Sequence, residues 1–297
     1  GSYRVHIKGL IHGLPDYPEQ FDGTVEQFDQ KWVDKINEHL AERIEDFEGL
    51  DEEDFLFASD TYGARFAKNL GVGFAPFDPN REVVKISGTK IRRDPFTNFK
   101  YIAPFLRSKM QVAVTIFGAE STGKTTMTRK LADKYNAPSI FEWARPYLES
   151  LPTPEVTDER MRMIVRGQEA LQRSAYAQNH SAFIFQDTDL FSTLGYYRLY
   201  GGGTVEDIND CETAACETQS SLYIVMNSNI RFTPDPLRYG VTKRESDDQF
   251  WIDILKEYNL PYHVVQATNQ HAQEAEVQQV IEKFFLDQNP VFGFERV

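Results

Sequence analysis

The residues Gly118-Ala119-Glu120-Ser121-Thr122-Gly123-Lys124-Thr125 fit the pattern G-x-x-x-x-G-K-[ST]. Glycine at both ends lets a short loop curl so that its backbone N–H groups converge on a polyphosphate. The lysine then reaches the terminal phosphates, and the threonine hydroxyl can ligate Mg²⁺. Gly118, Glu120, Ser121, Thr122, Gly123, Lys124, Thr125 and Thr126 are therefore the candidate ATP cradle, with Lys124 as its catalytic cation and Thr125 as a metal ligand. The alternative is a glycine turn beside a solvated lysine. It fits poorly, because the apolar run "VAVTIF" precedes the loop and a helical pattern follows it.

Three further groups could act on a bound nucleotide. "AFIFQDTD" (182–189) ends in Asp187 and Asp189. In an extended strand these two share a face; Asp187 would hold the metal or a metal-bound water, leaving Asp189 for a substrate. "IFEWARPYL" carries Glu142 and Arg145 among Phe141, Trp143 and Tyr147. The charges could orient an attacking hydroxyl beside the γ-phosphate and the aromatics could stack on a flat ring; otherwise the aromatics are simply core. "NSNIRFTPDPLRYGVTKRES" holds Arg231, Arg238, Lys243 and Arg244. Such a segment could fold over ATP and neutralise the transferring phosphoryl group. Separately, "ISGTKIRRDPF" offers Ser87, Thr89 and Arg92 around a helix start, an arrangement suited to an anion.

These groups need a scaffold that brings strand ends together. From Gln111 onward the pattern alternates: strands near 112–117, up to about 141, 182–189, 221–227 and 261–267, with helices at 157–179, 246–259 and 275–286 between and after them. That alternation predicts a parallel sheet covered on both faces. Between the third and fourth strands the sequence reads as an acidic loop containing Cys211 and Cys216. Before Gln111, strand-like stretches at 3–11 and 54–60 flank helical patterns at 25–47 and 61–70. The expected fold is α/β, with two Rossmann-like or P-loop parallel-sheet domains, the first incomplete: a partial domain at 1–108 and a P-loop domain at 109–297.

Bulk properties narrow the classes. Hydrophobic residues make up 41% of the 297, enough for real cores. The net charge of −13 opposes binding to a phosphodiester backbone, and the densest basic run is only Lys90-Ile91-Arg92-Arg93. No nucleic-acid partner is expected. No apolar run reaches the ~20 residues that span a bilayer, so no membrane role is expected either. Two cysteines read as reduced thiols and predict a cytoplasmic protein. The sequence leaves the oligomeric state open.

The chemistry of the last phosphate divides three ways. A GTPase would show N-K-x-D after the loop, and none is present. A motor usually carries adjacent acids, whereas Thr188 separates these two. A small-molecule kinase needs an acid, aromatics near the second strand and an arginine-bearing segment; all three are here. Transfer then depends mainly on position and charge neutralisation.

"GAESTGKTTMTRKLADKY", "FEWARPYLE", "QDTDLFST" and "LRYGVTKRESDDQFWIDIL" resemble the ribosylnicotinamide kinase domain of NadR-type bifunctional proteins. "ASDTYGARFAKNLG" and "FDPNREVVKISGTKIR" resemble the later part of the nicotinamide mononucleotide (NMN) adenylyltransferase domain of the same proteins. The resemblance implies phosphorylation of nicotinamide riboside by MgATP, with ATP and Mg²⁺ as cofactors and NMN and NAD as related ligands. It also implies the D-T-D, E-x-x-R and lid roles for Asp187, Asp189, Glu142, Arg145, Arg238 and Arg244, and Phe141 against the pyridinium ring. The H-x-G-H-type segment that adenylyl transfer needs has no match; His6 and His12 do not form one. The resemblance therefore implies an adenylyltransferase half with impaired catalysis. A kinase for another nucleoside and a non-catalytic NAD or ATP sensor are the alternatives. Glu142 and Asp189 both stand as candidate bases.

Overall fold

The computed structural model describes residues 21–42, 44–59, 62–153, 157–200, 203–228, 247–289 and 292. The chain divides into two compact units, Gly1–Ile86 and Ser87–Val297.

In the first unit, helix α1 (Val25–Ala41) opens with a reciprocal cap: Thr24 Oγ1 accepts from Gln27 N, and the Gln27 side chain accepts from Thr24 N. Strand β1 (Phe55–Ala58), helix α2 (Tyr62–Leu70) and strand β2 (Gly73–Pro76) follow. β1 and β2 pair in parallel, Phe55 opposite Gly73, which requires the crossover that α2 supplies. Asp29 of α1 is buried, and α2 compensates its charge: Arg65 Nε lies 3.1 Å away, and Asn69 Nδ2 donates across 3.0 Å. The strand expected over 3–11 lies outside the described residues.

The second unit begins with three short helices, α3 (Gly88–Arg93), α4 (Pro95–Asn98) and α5 (Pro104–Met110), with a 3-10 turn at Phe99–Tyr101. Then come β3 (Val112–Phe117), α6 (Lys124–Tyr135), β4 (Ser139–Ile140), α7 (Ala144–Glu149), α8 (Asp158–Gln178), β5 (Phe183–Asp187), α9 (Leu190–Tyr200), α10 (Val205–Glu217), β6 (Leu222–Val225), α11 (Asp248–Glu257), β7 (Tyr262–Val264) and α12 (Gln270–Gln288). The five strands form one parallel sheet in the order β4-β5-β3-β6-β7. β3 is therefore central, and its residues are buried on both faces, as its unbroken apolar run requires. Val112, Val114 and Ile116 face a core with Leu131 and Tyr135 of α6 and Val277, Ile281 and Phe285 of α12. Phe117 faces the other core, built on Leu190 and Phe191 of α9, Trp251 of α11 and Ile164 of α8.

The expected boundary at 108/109 differs from the division at Ile86/Ser87, and packing explains why. Phe99 is 1% exposed in the sheet core, and Phe96 stacks 5.4 Å from Phe183 and lies 5.1 Å from Phe285. Ile91, Ile102 and Met110 pack on the same core. Residues 87–110, assigned from sequence mostly to the first domain, thus cover one end of the sheet's core. A second difference concerns the acidic stretch with the two cysteines, which is helix α10 rather than a loop. Thr204 and Asp207 cap it reciprocally, and Cys211 and Ala215 are buried. Glu206 and Asp207 fall in the first turn, where the helix dipole favours them, and with Asp210, Glu212 and Glu217 further along they hide the helical period behind a polar composition. Both cysteines are free thiols. No described helix is long and apolar enough to cross a membrane.

Candidate functional site

β3 runs out at Phe117, and the chain turns back into α6 through the glycine loop. Gly118 has φ 117°, and a Cβ there would stand 2.9 Å from Met226 O at the end of β6. Only glycine permits both the backbone angle and the close approach. Ser121 at φ 56° and Gly123 at φ 88° complete the curl, and Gly123 is the N-cap of α6. Left-handed residues spaced along the loop turn N–H groups inward, the form of an anion nest, and α6 adds its positive N-terminal end. Thr122 Oγ1 donates to Ala119 O at 2.9 Å. Lys124 Nζ donates to Gly118 O (3.0 Å) and Ala119 O (2.7 Å), so the ammonium lies over the loop itself. Glu120 is buried within the turn; Thr125 and Thr126 lie in the first turn of α6.

β5 lies directly beside β3, with Ile116 opposite Asp187. Asp187 thus ends its strand one register position before the turn, 6% exposed. The strand stops there. Thr188 takes φ 91°, and Asp189 precedes α9 as its capping residue instead of continuing an extended chain. Asp189 Oδ1 accepts from Ser192 N at 3.1 Å, a helix-capping bond, and Oδ2 accepts from Thr115 Oγ1 at 3.4 Å. Thr115 and Ile116 point to opposite faces of β3, so Asp189 and Asp187 end on opposite faces of the sheet. The expectation that they share one depended on extended backbone through residue 189. Burial pushes the Asp189 carboxyl upward, against the hydrogen bonds from Tyr223, Ser192, Phe191 and Thr115 that favour its charged form. At 1% exposure it is a core group.

β4 is one of the two edge strands, and the aromatics after it separate into two kinds. Phe141 is 48% exposed and lines a cavity of ≈ 480 Å³ with Pro138, Ile140, Leu171 and Ala175. Trp143 and Tyr147 stack at 4.7 Å and pack on the core beneath α8 and α9. Trp143 lies so close to α8 that a Cβ on Gly167 would meet its ring at 2.3 Å. Glu142 is half-buried and Arg145 exposed at the start of α7. The loop at 118–123, Glu142 and Asp187 thus all follow carboxyl ends of adjacent strands, where ligands bind in open α/β sheets. Ser87 Oγ accepts from Lys90 N at 3.2 Å and serves as the cap of α3, with Thr89 and Arg92 on that six-residue helix. Arg231, Arg238, Lys243 and Arg244 lie outside the described residues.

Mg²⁺ needs few protein ligands, since it keeps waters and takes phosphate oxygens. The described residues contain no cluster of three or more His, Cys, Asp or Glu that would suit a metal held by protein alone. The Thr125 hydroxyl and the Asp187 carboxylate, hard oxygen donors on adjoining elements, fit that sparser demand.

Sequence reasoning missed the polar residues that hold the rim. Asn227 Nδ2 donates to Val265 O (2.8 Å) and Ala267 O (3.0 Å), tying the end of β6 to the turn after β7. Glu276 of α12 accepts from Gln266 N and Ala267 N in the same turn and from His263 Nε2 at 2.7 Å. Gln168 sits on the buried face of α8. A signal existed for it: glutamines at 168 and 172 share the helix face of Ile164 and Val165, where a polar side chain needs a partner.

A family model described as an AAA domain matches residues 113–273. The trifunctional NAD biosynthesis/regulator protein NadR of Salmonella typhimurium is 26% identical over 272 residues, covering 86% of this chain and 60% of that protein. The chain thus spans about three-fifths of that relative's length. Among solved structures, the crystal structure of NadR protein in complex with NR superposes with a TM-score of 0.53 at 19% identity, covering 92% of this chain and 76% of that one. The NadR complex with NAD and AMP-PNP gives 0.50 at 20% identity, with coverages of 89% and 75%. These likenesses agree with the α/β fold and its parallel sheets.

Proposed function

The chain belongs to the AAA-domain family, and from that membership we propose that its second unit phosphorylates the 5′-hydroxyl of nicotinamide riboside with ATP, giving NMN and ADP. The observation that carries this reading is the register of β3 on β5. It sets Asp187 beside the strand that feeds the phosphate-binding turn, so a metal-side acid and a phosphate cradle share one strand edge. The 26% identity to NadR, a NAD biosynthesis and regulator protein, supports a substrate of NAD metabolism, and NR is the ligand of the NadR crystal complex.

In this reading the amides of residues 118–126 and the Lys124 ammonium hold the β- and γ-phosphates. Mg²⁺, held by Thr125 and Asp187, supplies charge neutralisation when bound. Glu142 takes the proton of the ribose hydroxyl while its oxygen bonds to the γ-phosphorus and the bond to the β-phosphate oxygen breaks. Asp189 is the weaker candidate base, because its carboxylate is buried on the opposite sheet face and engaged by Ser192 and Thr115. Arg145 would supply positive charge to the transferring group, and Arg238 and Arg244 keep the lid role that the sequence resemblance implies. Phe141, exposed at the edge, suits a cationic pyridinium face.

The test is a product assay with MgATP and nicotinamide riboside, with uridine and deoxynucleosides in parallel. NMN and ADP in equal amounts, abolished by Lys124→Ala, are expected. Faster turnover of another nucleoside would replace the substrate, and NAD binding without turnover would make the chain a sensor. The same reading expects no NAD from NMN plus ATP with this polypeptide.

A further inference from the structure

Glu142 and Asp187 leave the sheet on adjoining strands, and one side chain holds the backbone just after each of them. Gln168 of α8 is 1% exposed. Its Oε1 accepts from Trp143 N at 2.9 Å, and its Nε2 donates to Thr188 O at 3.3 Å. Trp143 follows Glu142, and Thr188 follows Asp187. Thr188 is β-branched at φ 91°, backbone that such a residue adopts only where its surroundings hold it. Gly167 adds the other half of the seat. Without a Cβ it lets the Trp143 ring lie on α8 and brings the Trp143 N–H to the Gln168 amide.

We infer that Gln168 is a positioning residue for the phosphoryl transfer: its single amide fixes the spacing between the acceptor-side acid, Glu142, and the metal-side acid, Asp187. The amide is the right group because it accepts on one side and donates on the other. Both of its polar ends bond to backbone, so it acts through its neighbours and not on substrate. The left-handed turn at Thr188 is the point where the chain parts the two acids, sending Asp187 to the strand edge and Asp189 into the cap of α9. Gln168 holds that turn by its carbonyl. The inference rests on the kinase reading above.

Three variants of the full chain test it. Gln168→Leu removes both bonds; kcat should fall roughly 100-fold, the scale of a small misplacement of reacting groups, while KM for ATP changes less than about 3-fold, as for an interaction expressed in the transition state. Gln168→Glu keeps the acceptor and loses the donor. Burial raises the pKa of an introduced carboxyl, so its activity relative to wild type should recover as pH falls and the protonated acid donates again. Thr188→Gly reaches positive φ without a Cβ; in that background the loss caused by Gln168→Leu should shrink to about 10-fold or less. An unchanged kcat in Gln168→Leu would overturn the inference. So would equal losses in both backgrounds with a flat relative pH profile for Gln168→Glu. Amide exchange separates this from the parent reading: in Gln168→Glu near pH 8, residues 186–193 should exchange faster than in wild type and residues 118–126 should not. If wild type phosphorylates no nucleoside, the kinase reading fails, while unchanged exchange over 186–193 would by itself refute the role of Gln168.

Discussion

Replacing Gly167 by alanine sets two known effects against each other. Glycine inside a helix is worse than alanine by about 1 kcal/mol, so propensity alone predicts a more stable protein. The new Cβ, however, would lie 2.3, 2.4 and 2.5 Å from Cδ2, Cε2 and Cε3 of Trp143. Contacts that short cannot persist. The ring is hemmed in by the Tyr147 stack at 4.7 Å and by its own N–H on Gln168. Forcing an extra methyl into such packing costs about 1–3 kcal/mol. The balance runs from about zero to about 2 kcal/mol of lost stability. At 2–4 °C per kcal/mol for a domain of roughly 150–250 residues, Tm should fall by no more than about 8 °C. The kinetic effect should be larger than the thermal one. Displacing Trp143 carries Glu142 with it, and kcat should drop roughly 10- to 100-fold. Adding Trp143→Leu to Gly167→Ala, which shortens the obstructing side chain, should return part of that loss. The measurements are a thermal melt and steady-state kinetics on wild type, Gly167→Ala and the double variant. A Tm that rises with kcat intact would show that the ring has room to move and that its seat does not place the acid.

Other outcomes follow from the same geometry. Asp189→Asn keeps a capping oxygen for Ser192 and removes a buried charge, so activity should stay within about 3-fold, whereas loss of a general base costs about 10²–10⁴-fold. Because the folded pKa of Asp189 is raised above its ordinary 3.8, the penalty of its charge is absent below that value and grows as pH rises. The variant should therefore melt above wild type at pH 7, and the gap should close as pH approaches 4. Asp187→Asn should shift the Mg²⁺ concentration for half-maximal rate upward, with ATP held constant; an unchanged Mg²⁺ titration would remove Asp187 from the metal. Phe99→Ala should cost about 3–5 kcal/mol as a core truncation, seen as a lower urea midpoint for the second unit, while a loss under 1 kcal/mol would show that residues 87–110 are an appendage.

The second unit was legible wherever burial is two-sided. β3, β5 and β6 are short apolar runs fed by turn residues, and α8 announces itself through the Thr157 cap and a helical apolar stripe. The glycine loop was legible because its chemistry demands particular residues at particular spacing. Three things were hidden. The period of α10 is masked by acids spread along its length, and its identity as a helix depends on Cys211 and Ala215 meeting neighbours distant in sequence. The fate of Asp189 turns on one backbone angle at Thr188, which no local pattern encodes. The allegiance of residues 87–110 is a matter of tertiary packing, since Phe96 and Phe99 find partners at Phe183 and Phe285. Aromatic content alone could not distinguish Phe141 at the rim from Trp143 in the core.

The strand order bears on how this chain can be made. β3 carries the phosphate-binding turn, yet its two neighbours are Phe183–Asp187 and Leu222–Val225. On a ribosome the glycine loop therefore emerges long before either flank exists. Until about residue 225 has left the exit tunnel, β3 is an apolar ribbon with at least one open edge, a substrate for holdase chaperones and for self-association. Ordering of the nucleotide loop is thus among the late events of maturation, and an early fragment that bound ATP would have to do so by some other arrangement of its backbone.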